Sequence, residues 1–126
     1  MDTKDHRIRF YRDLAARLRD ELTEHKLYLD PRFSLDDAAS RLGVSRYDLS
    51  RAANGLLGTS FCRLVNELRI AEALRLMRSP GGGELKIRRI ALLAGFSDRK
   101  NFMRVCKRIT GLSPSQLKAQ SNTSKP

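Results

Sequence analysis

Arg46, Tyr47, Ser50 and Arg51 stand close together in the chain, and Arg99, Lys100, Asn101 and Arg104 form a second group further on. Each group mixes forked guanidinium donors with short polar side chains, a set able to grip base edges and phosphate oxygens. An Arg fork matches O6 and N7 of guanine, and a Tyr ring packs on a thymine methyl or reaches a phosphate. The Asn101 amide matches N6 and N7 of adenine, with a capping or helix-packing role as its rival. Lys100 suits a phosphate better than a base edge, and Lys107 and Arg108 would add affinity without sequence information. Local roles compete here too. For Arg46 a solvated charge at a helix start is the lesser alternative, and for Arg51 an ion pair with an acid such as Asp48 at helical spacing. Ser45 and Ser97 leave helix N-termini open to phosphate, but both are first of all caps.

No catalytic set accompanies these groups. The carboxylates fall at helix starts or amid basic residues, and no Ser or Cys has a His in a plausible local arrangement. Cys62 and Cys106 lack the paired spacing of a zinc site, and His6 and His25 stand alone. They read as two reduced thiols and two solvated histidines of a cytoplasmic protein. Gly81-Gly82-Gly83 follows Ser79-Pro80 and is expected to be a flexible connector rather than a phosphate loop. The expectation is of a non-enzyme without cofactor or metal.

Charge points the same way. The chain carries 25 Lys and Arg against 14 Asp and Glu, a formal charge of +11 and a pI near 10.5. A folded domain this basic usually meets a polyanion, nucleic acid above all. Anionic membrane is disfavoured because the basic residues are spread along the chain. The run from Ile90 to Phe96 is far too short to cross a bilayer, and no charged-then-apolar leader opens the sequence.

The elements that must hold the two groups are helical throughout. Helix one is expected from Arg7 to His25. Ser34 opens a short helix with Asp37 completing a capping box, and Leu42-Gly43 ends it. Ser45, supported by Asp48, caps the next helix to about Leu57. A long helix follows from Ser60 to Arg78, apolar on more than one side and so expected to be buried between two bodies. Ile87 to Ala94 forms a short helix, Gly95-Phe96 a turn, and Ser97 caps a helix ended by Gly111. Ser113-Pro114 starts the last one, with a polar, disordered tail from Gln120.

A repeat gives this order its meaning. Ala39, Gly43, Leu49, Arg51, Leu56, Gly58 and Ser60 return as Ala91, Gly95, Phe102, Arg104, Ile109, Gly111 and Ser113. The offset is 52 up to the turn and 53 after it, so the second turn is one residue longer. A small Ala lets two helices cross closely, a Gly takes the turn, and Leu or Phe plugs the core. The Arg two residues later leaves the opposite side. That is the helix-turn-helix pattern, whose second helix enters the major groove.

Residues 27–118 resemble the DNA-binding domain of the AraC family of bacterial regulators. The resemblance rests on 34–58, with Leu42-Gly43-Val44-Ser45-Arg46, on 66–73, and on the long stretch from Gly95 to Pro114. It implies an all-α, homeodomain-like fold of about seven helices, with two helix-turn-helix subdomains joined by a long linker helix. The expected divisions are a lead-in helix over 1–27, a first unit over 28–58, the linker helix over 59–79, a connector over 80–86, a second unit over 87–119 and a tail over 120–126. Cys106, Ala52-Ala53 and Leu117 replace larger or aromatic residues of the family, which implies looser packing under both recognition helices. The connector is also longer and richer in glycine than is usual.

The implied function is sequence-specific binding of double-stranded DNA, two recognition helices lying in adjacent major-groove segments, by a cytoplasmic transcription regulator or the cytoplasmic part of a membrane-anchored one. RNA polymerase is a candidate second partner, and the resemblance also admits a sensory or membrane domain outside this sequence. A helical module for an acidic protein partner is the alternative. RNA is disfavoured for want of exposed aromatic platforms. In helix one, Ile8, Tyr11, Ala15, Leu18, Leu22 and His25 step by three and four, the spacing of a coiled-coil seam. So short a seam is marginal alone, so its C-terminal half is expected to pack on the first unit while its first turns fray, leaving the isolated chain monomeric.

Overall fold

The computed structural model describes residues 3–123. Among these lie seven α-helices: α1 (Thr3–His25), α2 (Leu35–Leu42), α3 (Arg46–Leu56), α4 (Phe61–Arg78), α5 (Ile87–Leu93), α6 (Arg99–Thr110) and α7 (Pro114–Thr123). Two short 3-10 turns cover Leu27–Leu29 and Gly82–Glu84. The fold is all-α, as the 3.6-residue periodicity requires. The described residues divide into two compact units, one holding the chain to Leu27 with Phe33–Leu64, the other Tyr28–Arg32 with the chain from Val65 onward. Helix α4 therefore gives its first turn to the first unit and the rest to the second.

In the first unit α1 packs principally on α3 and also touches α2. Leu14, Ala15, Leu18 and Leu22 of α1 are buried, as are Ala38, Ala39 and Leu42 of α2 and Leu49, Ala52 and Ala53 of α3. The alanines at 52 and 53 have no exposed surface at all, and small residues there let the helices approach closely. Leu18 and Leu22, in the half of the helix expected to pack on the first unit, are core residues of that unit, whereas Ile8 remains 41% exposed. The helix also begins at Thr3, earlier than the fraying start expected around Arg7.

Local chemistry sets the helix ends. Ser34 Oγ accepts from Asp37 N at 3.2 Å while Asp37 Oδ2 accepts from Ser34 N at 3.0 Å, a complete capping box. Gly43, at φ +69°, closes α2, and Val44 N donates to the Ala39 carbonyl at 3.0 Å. From α1, Arg17 Nη2 adds a hydrogen bond to the Leu42 carbonyl at 3.0 Å, satisfying an acceptor left by the helix end.

The second unit surrounds a core of Ile70, Ala73, Met77, Ile90, Ala91, Ala94, Phe96, Phe102, Val105, Cys106 and Leu117. Phe96 and Phe102 stack with ring centroids 4.9 Å apart. Cys106 and Leu117 are both buried here. Residues 28–32, expected in the first unit, cluster with the second. Arg69 Nε donates to the Tyr28 carbonyl at 2.7 Å and its Nη2 to the Asp30 carbonyl at 3.0 Å, so a buried guanidinium ties this strap down.

Three further expectations need correction. The glycine connector is an ordered turn rather than a loose link: Gly82 N donates to the Ser79 carbonyl at 2.8 Å, and Gly82 is buried against the end of α4. Lys118 Nζ also hydrogen-bonds the Leu85 carbonyl. The cap of α6 is Asp98, not Ser97; Asp98 Oδ1 accepts from Asn101 N at 2.7 Å. The extra residue of the second turn accounts for this, since Asp98 lies 53 positions after Ser45, in the register of the repeat beyond the turn. Finally, α7 continues through Gln120 to Thr123, and Ser121 is buried with its Oγ donating to the Leu117 carbonyl at 3.0 Å. Residues 124–126 of the expected tail lie outside the described residues.

Gly43 and Gly95 occupy equivalent turns but are required for different reasons. A Cβ on Gly43 meets nothing within 4 Å, whereas one on Gly95 (φ +97°) would lie 2.2 Å from the Tyr28 carbonyl oxygen. Gly43→Ala should therefore cost only the left-handed backbone penalty, about 1 kcal/mol. Gly95→Ala must also displace the strap and should cost ~3 kcal/mol or more. Urea unfolding of the two variants checks this, and equal losses would refute it.

Candidate nucleic-acid interface

Helices α3 and α6 are the second helices of the two helix-turn-helix units, and each exposes one face while the other closes a core. On α3 the buried side is Leu49, Ala52 and Ala53; on α6 it is Phe102, Val105 and Cys106. The eight residues expected to read DNA all lie on these two helices, four on each, and none belongs to the fully buried set.

On α3 the N-terminus is built by Ser45, whose Oγ accepts from Asp48 N at 3.0 Å. Arg46 Nε pairs with Asp36 Oδ1 at 2.9 Å; both side chains are more than two-thirds exposed, so water weakens the pair and a phosphate can displace it. Tyr47 is 64% exposed. Ser50 is half-buried, and its Oγ accepts from Asn54 Nδ2 at 3.4 Å. Arg51 does not form the alternative ion pair with Asp48. Its Nη1 donates to the Tyr47 hydroxyl at 2.9 Å, and its Cζ lies 5.6 Å from the Tyr47 ring centroid and 5.5 Å from that of Tyr11. Asp48 instead accepts a 2.9 Å hydrogen bond from the Tyr11 hydroxyl of α1.

Helix α6 is arranged otherwise. Arg99 and Lys100 are exposed at its first turn, Asn101 is half-buried, and Arg104 Nη2 donates to Asn101 Oδ1 at 2.7 Å. Asn101 Nδ2 reaches back to Ser97 Oγ at 3.5 Å, so the amide both orients Arg104 and ties itself to the turn. One shallow depression is lined by Ser97, Asp98, Lys100, Asn101 and Arg104, another by Lys100, Met103, Arg104, Lys107 and Arg108. The helix carries Arg99, Lys100, Arg104, Lys107 and Arg108 with no acid, a charge of +5, against +1 for α3 from Arg46 and Arg51 less Asp48. The second helix thus carries far more positive charge than the first.

The sequence reading missed Tyr11. It sits 37 residues before Asp48, and only its place on the buried-facing stripe of helix one marked it. Elsewhere, burial pushes the Cys106 thiol up, which keeps it protonated within the core. Among the described residues no helix is long and apolar enough to cross a membrane, and no three His, Cys, Asp or Glu converge on a possible metal position.

A tandem of helix-turn-helix units with two exposed, basic second helices defines a DNA-binding domain of transcription regulators. The family model described as a helix-turn-helix domain matches residues 38–120. The C-terminal domain of AraT, a response regulator from Geobacillus stearothermophilus, is 30% identical, covering 85% of this chain and 84% of that one, with a TM-score of 0.75. A transcriptional regulator with an AraC-type DNA-binding domain from Chromobacterium violaceum is also 30% identical, covering 74% and 80%, with a TM-score of 0.64. The DNA-binding domain of AdpA, a global transcriptional factor solved with a target DNA, shares the fold at 21% identity, covering 89% and 96%, with a TM-score of 0.76. No curated protein matches the sequence. The chain belongs to the AraC-type helix-turn-helix family of DNA-binding transcription regulators.

The Tyr11 phenol lies above the usual tyrosine range, first because it donates to the Asp48 carboxylate and then through desolvation. The folded state thus holds this proton more tightly than the unfolded chain. The stabilisation is fully present below pH 10.0 and is lost as pH rises through the raised value. Tyr28, raised first by burial, also titrates late. In an ultraviolet titration of the folded protein, Asp48→Asn should move one late phenol to lower pH and leave the other in place; two unmoved phenols would refute the Tyr11–Asp48 contact.

Proposed function

We propose that the chain recognises duplex DNA in two parts, α3 and α6 each entering a major-groove segment and the two segments lying about one turn, ~10 bp, apart. The observation that carries this reading is the duplicated, solvent-facing recognition helix, with Arg51 and Arg104 at equivalent positions of the repeat and each oriented by a polar neighbour. In that role Arg51 and Arg104 read base edges, Tyr47, Ser50 and Asn101 complete the base-facing set, and Arg46, Arg99 and Lys100 anchor phosphates. Lys107 and Arg108 strengthen the electrostatic grip of α6. Acting on chromosomal DNA would place the chain in the cytoplasm. For the monomeric state, the support is that Leu18 and Leu22 are consumed in the core of the first unit.

Selection of bound sequences from a random duplex library, followed by footprinting on the winner, tests the bipartite reading. Two protected segments ~10 bp apart are expected for a monomer. A single protected half-site, or stronger binding to an acidic protein than to duplex, overturns it.

The two arginines make a sharper test. Arg51→Ala and Arg104→Ala should each weaken binding to the selected duplex roughly 5- to 150-fold, and random duplex less. Equal losses on both DNAs in salt-controlled titrations would make them phosphate contacts, with a reduced salt slope as the sign.

A further inference from the structure

We infer that Tyr11, on a helix outside the helix-turn-helix repeat, is a positioning residue for DNA reading: it engages Asp48 and thereby leaves the Arg51 guanidinium free to face DNA. This rests on the proposed base-reading role of Arg51. Asp48 and Arg51 are three residues apart on α3, a spacing at which an acid and a base on one helix pair readily. An Arg51 so paired would have its donors turned toward its own helix. The geometry shows the other arrangement. The Tyr11 hydroxyl donates to Asp48 Oδ1 at 2.9 Å, and the Arg51 guanidinium lies over the Tyr11 and Tyr47 rings, at 5.5 and 5.6 Å, with Nη1 on the Tyr47 hydroxyl at 2.9 Å.

The aromatic rings hold a cation by their faces without competing for all its N–H donors, so part of the fork stays available. Asp48 has a further reason to be engaged. A free carboxylate in the first turn of a recognition helix would repel the phosphates and base carbonyls that helix must approach. Tyr11 thus acts twice, once through its hydroxyl on the acid and once through its ring on the base. It belongs to α1, which lies before the segment 38–120 that the family model matches. In α6 the orienting group for Arg104 is Asn101 of the same helix. The first recognition helix therefore depends on α1 in a way the second does not.

The experiment compares binding to the selected duplex and to random duplex, with thermal unfolding as a control for folding, for Tyr11→Phe, Asp48→Asn, Asp48→Glu, Arg51→Ala and the combinations of Tyr11→Phe with Asp48→Asn and with Arg51→Ala. Tyr11→Phe should lower the ratio of selected to random affinity on the order of tenfold, because Asp48 is released to Arg51. Adding Asp48→Asn should restore the ratio, since no carboxylate remains to capture the guanidinium; a mere docking role of Tyr11 predicts no such rescue. In the Arg51→Ala background, Tyr11→Phe should change nothing further. An unchanged ratio in Tyr11→Phe, a loss equal on both DNAs, or a loss that persists without Arg51 overturns the inference. Should Tyr11→Phe fail to fold, the Asp48 pair decides: Asp48→Glu, whose longer carboxylate leaves Tyr11 and reaches Arg51, should lose the ratio while Asp48→Asn keeps it, and equal ratios refute the inference. If Arg51→Ala loses the preference and Tyr11→Phe keeps it, only this inference falls; if the wild-type chain prefers no sequence, the DNA-reading role falls and carries the inference with it.

Discussion

An arginine that is only 7% exposed must find oxygens for its guanidinium, and Arg69 finds them in the carbonyls of Tyr28 and Asp30. Burying this charge without such partners would cost several kcal/mol, on the order of the penalty for any unpaired buried ion. The constraint propagates through the second unit. The strap that supplies the carbonyls presses on the α5–α6 turn so closely that position 95 cannot carry a Cβ. That turn leads directly to Asp98, which caps α6 and so marks where the first turn of the recognition helix begins. A core charge, a glycine and the start of the second recognition helix are one mechanical chain.

The two recognition helices solve the same problem with different chemistry. An exposed arginine loses much side-chain entropy on binding, and holding it beforehand reduces that loss. In α6 the hold is a charge–dipole hydrogen bond from Arg104 to an amide three residues earlier. In α3 it is a hydroxyl and two aromatic faces, one of them from α1. With +5 on α6 and +1 on α3, the second unit is suited to carry more of the salt-dependent affinity, and the first to carry more of the discrimination.

The helices, their order and most of their ends were legible because they follow from local rules. Ser34 and Asp37 form their capping box within four residues, and Gly43, Gly95 and Gly111 take positive φ where the repeat places them. The repeat also marked Arg51 and Arg104 as outward-facing, since their distance from Leu49 and Phe102 is fixed by helix geometry. Where the reading departed from the structure, the deciding contact was distant or the register was split. The strap at 28–32 joined the second unit because of an arginine 41 residues from Tyr28. The cap passed to Asp98 because the extra residue lies within the turn rather than after it. The glycine run became an ordered turn because Gly82 fits against carbonyls at the end of α4, where its lack of a side chain is a packing requirement and not a source of looseness.

Sequence alone determined that this chain is all-helical, duplicated, basic and armed with two outward arginines, because periodicity, caps and charge act over a few residues or sum over all of them. Tertiary structure alone decided which partners those arginines keep. Asp48 and Arg51 have the spacing to pair, and nothing within α3 forbids it. The phenol that donates to Asp48 arrives from 37 residues away, and only the docking of α1 on α3 brings it within 2.9 Å.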